Sequence, residues 1–246
     1  MNNRILLILI FSVSLLACEK ENSKLIEKYP NGKPKVEEIV KGNSKKTGKP
    51  YKVRIFFENG ELQNEHTMVD TFWDGLSVTY YENGQKESEI YFKRNLFNDT
   101  LKRWHKNGVL KQKTLWVEGK MQGHHNEWYD DGKLLSTGIF SKGKGEIEYF
   151  YKNLKTWWKG NTIDNEPDGL WKYYYENGIL ERKGNFERGK EFGLWEYFYN
   201  DGKLFKHAYF KNGKQDSIYK IWDRSYKIIE KGKYKNGELL EMQKLN

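Results

Sequence analysis

From Tyr51 to about Leu240 the chain repeats one alternation of bulky and polar positions. About eight residues rich in aromatics run into an Asn-Gly or Asp-Gly pair. About eight more follow, and then a second turn carrying glycine or a polar cluster. The clearest copy is GLWKYYYENG, Gly169–Gly178. It returns as GLWEYFYNDG (Gly193–Gly202), GLSVTYYENG (Gly75–Gly84), GHHNEWYDDG (Gly123–Gly132) and GEIEYFYKNL (Gly145–Leu154), with looser copies from Tyr51, Asp99 and Asp216. The starts 51, 75, 99, 123, 145, 169, 193 and 216 lie 22 to 24 residues apart. A fixed period in this range marks a repeat array, in which each unit buries its apolar surface against its neighbours. No long helical periodicity occurs after residue 50. The pattern predicts an all-β fold: an elongated, twisted antiparallel meander of about eight hairpins.

Register follows from the turns. Asn-Gly is the strongest short hairpin signal, because a type I′ turn needs φ > 0 at both central residues. With Asn177-Gly178 as a two-residue loop, Tyr175 faces Leu180, Trp171 faces Gly184 and Gly169 faces Phe186. In the next copy Tyr199 meets Leu204, Trp195 meets Ala208 and Gly193 meets Phe210, while Gly123–Phe140 and Gly75–Phe92 repeat the last pairing. Large faces small on one sheet face, so that face is expected to be the core, with rings covering strand glycines. The other face carries one ring per hairpin: Tyr80, Trp104, Trp128, Phe150, Tyr174 and Phe198. Lys102, Glu148, Lys172 and Glu196 stand two residues before four of them.

Composition adds two points. A mean hydropathy of −0.92 with 31% charged residues suits disorder, but 16% aromatics does not, so burial must come from rings. The net charge of +9 keeps exposed strands soluble and attracts anionic surfaces.

The amino terminus changes the picture more. Met1–Arg4 is polar and basic, Ile5–Leu16 is apolar, and Ala17-Cys18 precede Glu19-Lys20-Glu21. This is the layout of a secretory signal, too short to span a bilayer. The ending LLAC resembles a bacterial lipoprotein signal and implies that Cys18 is lipidated and becomes the first mature residue. Residues 1–17 are then a signal peptide and 18–50 a tether containing a worn first copy, Leu25–Gly32. Residues 51–240 form the repeat domain and 241–246 a tail. Cys18 is the single cysteine, so no other thiol is available for a disulfide, a metal or nucleophilic catalysis.

Candidate chemistry is sparse. His124 and His125 are adjacent, so in a strand they point to opposite faces and cannot share a metal. His66, His105 and His207 each occupy a repeat position held elsewhere by an ordinary packing or surface residue. The glycines fall on the repeat period rather than in a phosphate-binding loop. No catalytic, metal or cofactor site is expected. Basic residues among aromatics suit single-stranded nucleic acid, but an exported protein does not meet it.

The pattern G-x-W-x-x-Y-Y-x-N-G in GLWKYYYENG and GLWEYFYNDG resembles the variant MORN repeat of the YwqK-family antitoxins, over about Tyr51 to Leu240. The first Gly is missing at Tyr51 and Asp216, and Leu154 and Ser225 stand for the turn Gly. The resemblance implies an elongated sheet of hairpins and a toxin-neutralising protein partner, with links to phospholipid binding and scaffolding. The expected function is a lipid-anchored envelope protein that binds another protein without catalysis, as an antitoxin or immunity component. The alternative is an envelope glycan- or phospholipid-binding module using Tyr80, Trp104, Trp128, Phe150, Tyr174 and Phe198, similar to choline- and glucan-binding repeats.

Overall fold

A computed structural model describes residues 21–41 and 51–245. These form twenty strands and, among the described residues, no helix. In chain order they are β1 (Glu21–Lys28), β2 (Pro34–Lys41), β3 (Lys52–Phe56), β4 (Leu62–Val69), β5 (Phe72–Tyr80), β6 (Lys86–Lys93), β7 (Leu96–Phe97), β8 (Asp99–Trp104), β9 (Leu110–Val117) and β10 (Lys120–Trp128). There follow β11 (Leu134–Ser141), β12 (Lys144–Phe150), β13 (Thr156–Ile163), β14 (Glu166–Tyr174), β15 (Leu180–Glu187), β16 (Lys190–Phe198), β17 (Leu204–Lys211), β18 (Lys214–Trp222), β19 (Ile228–Lys235) and β20 (Glu238–Lys244). Each strand pairs antiparallel with its chain neighbour in one open sheet, apart from the short β7, which shares β6 with β8. The all-β meander of hairpins is therefore the fold. It starts with β1 and β2, whose pairing brings a hairpin ahead of Tyr51 into the same sheet.

The predicted pairings Trp171–Gly184, Gly169–Phe186, Trp195–Ala208 and Gly193–Phe210 are present. The turns differ from expectation. At Asn177-Gly178 the Gly178 N–H donates to Tyr175 O at 2.8 Å and the Tyr175 N–H to Ile179 O at 2.9 Å. Gly178 has φ +90 and Asn177 a negative φ. This is a three-residue loop in which a type I turn is closed by a left-handed residue, not a type I′ turn. One strand gains a residue, so Tyr174 rather than Tyr175 faces Leu180, and Phe198 rather than Tyr199 faces Leu204. The type I′ turns are at the other end of the hairpins, where Arg188-Gly189, Lys142-Gly143 and Asn212-Gly213 have positive φ at both residues. Asp164-Asn165 does the same at +50 and +70, which leaves Pro167 as the second residue of β14. In the last full copy Tyr226, not Ser225, takes the left-handed position, at φ +65.

Residues two apart along a strand share a face. The face that carries Trp171 and Trp195, the inner face, is the core. Its central row crosses the strands through His66, Ser77, Thr114, His125, Ile147, Trp171, Trp195 and Tyr219, all buried. Trp195 is fully buried although the sheet has a single layer. Rings supply the cover: Phe186 meets it edge-on at 5.2 Å, and Tyr173, Tyr197 and Phe210 lie 6.1 to 6.4 Å away. The rings also cover glycines, one strand earlier than the pairing suggested. A Cβ on Gly184 would lie 2.2 Å from the Trp195 ring, and one on Gly160 2.5 Å from that of Trp171. A Cβ on Gly169 or Gly193 meets nothing within 4 Å. Their role is backbone: at φ +72 and +70 they form bulges that add residues between paired positions.

Candidate functional site

Two features join one hairpin to the next and leave the outer face free. The last aromatic before the Asn-Gly or Asp-Gly turn is a tether in most copies. Tyr175 Oη donates to Phe198 O at 2.8 Å. Tyr29, Tyr81, Tyr129, Tyr151 and Tyr199 donate in the same way to Phe56, Trp104, Phe150, Tyr174 and Trp222. His105 fills the position with Nε2 2.9 Å from Trp128 O, which explains a histidine at a tyrosine position. The turn Asn does a second job. Asn177 Oδ1 accepts from the Ile179 N–H at 2.9 Å while Nδ2 donates to Asn200 O, one copy on, at 3.0 Å. Asn-Gly recurs here for those two bonds as well as for its turn.

The inner face contains polar groups that hydrogen-bond one another. Thr114 Oγ1 lies 2.7 Å from His125 Nδ1, and Ser136 Oγ is 3.3 Å from Nε2. Glu127 reaches that same nitrogen at 3.8 Å and accepts from Tyr149 Oη at 3.1 Å. Serine and carboxylate share one ring nitrogen, whereas a charge-relay triad needs them on opposite ones. Burial holds His125 below the usual histidine range and pushes Tyr149 up to about 12. His66 pairs with Ser77 at 2.6 Å and stacks on Trp73 at 4.5 Å, and its pKa is also lowered by burial. Among the described residues no group of three His, Cys, Asp or Glu is placed to hold a metal.

The outer face carries the other candidates. Tyr80, Trp104, Trp128, Phe150, Tyr174 and Phe198 fall on it in one stripe, opposite Lys86, Leu110, Leu134, Thr156, Leu180 and Leu204. All six are half-buried rather than open. Lys86 Nζ sits 5.4 Å over the Trp104 ring and Lys183 Nζ 5.9 Å over that of Phe198. Beside the stripe runs a row of charges. Glu89 bonds Lys102 at 2.9 Å, Glu148 lies 3.6 Å from Lys159, and Glu196 holds Lys183 at 2.7 Å. Beyond that row, toward the type I′ turns, lie exposed apolar side chains: Phe72, Tyr91 (47% exposed), Ile139 (64%), Leu170 (45%), Tyr209 and Ile218. The sequence marked the lysines but not this apolar band. Strand alternation carries the signal, since Leu170 and Ile218 stand two residues before Lys172 and Lys220. Cys18 lies outside the described residues.

A known repeat matches three of the hairpins. Residues 73–94, 167–188 and 193–212 match the model of the MORN repeat variant. They correspond to the hairpins β5–β6, β14–β15 and β16–β17. No curated protein matches the chain. Among solved structures, S. aureus TarM in complex with Fondaparinux, α-GlcNAc-glycerol and UDP aligns at 18% identity over 38% of this chain and 19% of that one, with a TM-score of 0.29. A porin-like protein from Bacteroides uniformis aligns at 8% identity over 90% and 92%, with a TM-score of 0.20. The Photorhabdus luminescens Tc holotoxin pore aligns at 10% identity over 89% and 16%, with a TM-score of 0.19. The chain thus spans about a fifth of the first of these, and none of the three bears on function.

Proposed function

We propose that the protein is a non-catalytic binding module of the bacterial cell envelope, held to a membrane by a lipid on Cys18, that takes up a protein partner on its outer face. The exposed apolar band on that face is the observation that carries this reading. Apolar side chains left uncovered in a row on one face, rather than scattered singly over the surface, point to an interaction site. MORN repeats are in general protein- or membrane-binding modules, and a repeat array offers a long regular surface to a large partner. The resemblance to antitoxins adds that the partner is a toxin met outside the cytoplasm, with this protein as the immunity component. Glycan binding by the aromatic stripe has less support, because stacking on a sugar needs open ring faces and those of Trp104 and Phe198 are overlain by lysines.

The test is a photoreactive residue at Ile139, on the outer face, activated in intact cells. One dominant protein adduct, absent when the probe sits at an inner-face position such as Ser136, is expected. Adducts with lipid or glycan alone would contradict the reading.

A further inference from the structure

The outer face pairs like charges where a sheet ordinarily avoids them. Lys172 on β14 lies directly between Lys159 on β13 and Lys183 on β15. Lys102 faces Lys113 across β8 and β9, and Lys220 faces Lys231 across β18 and β19. Cross-strand like charges destabilise a sheet. Acids partly offset this. Glu148 and Glu196 take Lys159 and Lys183, and Glu89 takes Lys102. Among the described residues Lys172, Lys113, Lys220 and Lys231 have no acidic partner within 4 Å. The groove of about 340 Å³ that Tyr91 lines with Lys102 and Lys113 also carries Glu89 and Asp99, so its lysines are already balanced by acids. An exposed apolar side chain accompanies the groups at Lys172 and Lys220. Leu170 precedes Lys172 by two residues on the same face, and Ile218 precedes Lys220 in the same way.

We infer that the two lysine-and-apolar stations at Lys172 and Lys220 together dock an acidic, apolar-bearing polypeptide segment, a refinement that rests on the protein-binding reading above. The geometry sets what such a segment carries. Two residues along a strand are roughly 7 Å apart, so each station takes a carboxylate and an apolar side chain at about that spacing. The stations lie four to five strands from one another, which places them roughly 20–25 Å apart along the sheet axis. Two other anionic surfaces fit less well. A glycan or nucleic acid has no aliphatic groups for Leu170 and Ile218. A membrane is flat, whereas neighbouring strands rotate by about 20–25°, turning stations four strands apart by roughly 80–100°. A polypeptide can wind with the sheet.

Selection of a phage library of random 12-residue peptides on the full chain in detergent tests this. The expected winners combine Asp or Glu with aliphatic residues. Their affinity falls at least tenfold with Lys172→Gln, severalfold with Leu170→Ser, and with added salt, while the urea unfolding midpoints of both variants stay near that of the parent. Neutral or basic winners, winners indifferent to both substitutions, or no enrichment would each overturn the inference. Retention of the parent but not of Lys172→Gln on phosphatidylglycerol vesicles, with no peptide enriched, would reassign the face to lipid. A protein adduct at Ile139 together with any of these failures would leave the binding reading standing and remove only the acidic partner.

Discussion

At the scale of single residues, backbone and packing demands are separable. Gly184 is required by space: its Cβ would lie 2.2 Å from Trp195 Cδ2, and the fully buried ring has no room to retreat. Gly184→Ala should therefore destabilise by about 1–3 kcal/mol, the usual range for overpacking, read from urea unfolding. Gly178 is required by conformation, at φ +90 with only the Lys155 side chain nearby. Gly178→Val should cost about 1–2 kcal/mol. The reverse change gives an opposite sign. Leu154 and Tyr226 sit at φ +64 and +65, so Leu154→Gly should stabilise by about 1 kcal/mol. Much of this was readable in the sequence, because a period of about 24 residues aligned Trp171 and Trp195 with Gly184 and Ala208. Which strand's glycine lies under which ring was not. That depends on how a tryptophan leans across the sheet, and Trp195 leans toward Gly184 on β15 rather than toward its paired Ala208.

At the scale of the hairpin, the Tyr tether and the buried row decide how units hold together. Tyr175→Phe removes the bond to Phe198 O and should cost about 1 kcal/mol, with fluorescence and circular dichroism of the native state unchanged. The row is unequal along its length: hydrogen-bonded His66, Ser77, Thr114 and His125 give way to Trp171, Trp195 and Tyr219. Native-state hydrogen exchange should accordingly be slowest in β14 to β17. Burial also sets a pH dependence. An unfolded histidine takes up a proton near pH 6.5, whereas His125 and His66 have lowered values in the fold. As pH falls below about 6.5 the unfolded chain binds more protons than the folded one, so stability decreases. The urea midpoint should be level from pH 8 to 7 and fall below about 6.5, and His125→Gln should flatten part of that fall. The turn types were misassigned from the sequence for a physical reason. Asn-Gly fits a two-residue turn by backbone preference alone, but Asn177 also bonds the neighbouring copy, and that second demand is invisible in one hairpin.

For the whole molecule, a single open sheet must leave surface uncovered, and the charge and apolar patterns say which surface. The stripe from Tyr80 to Phe198 is half-buried, and the open apolar surface on that face lies beyond the lysine row. Strand alternation revealed both faces, but burial within the stripe depended on lysines such as Lys86 and Lys183 lying over it. A change of Cys18 to Ser should move the protein from the membrane to the soluble fraction, and unchanged fractionation would contradict the lipid anchor. All of this presupposes that one hairpin is copied end to end in an open ladder. Spin labels on cysteines placed at exposed Lys133 and Lys227, in a Cys18→Ser background with no other thiol, measure it most directly. The labels are eight strand steps apart, and pulsed electron resonance should give one narrow distance of roughly 35–45 Å. A distance below about 25 Å, as in a closed or folded-back sheet, or a broad spread with no dominant value, would contradict the account.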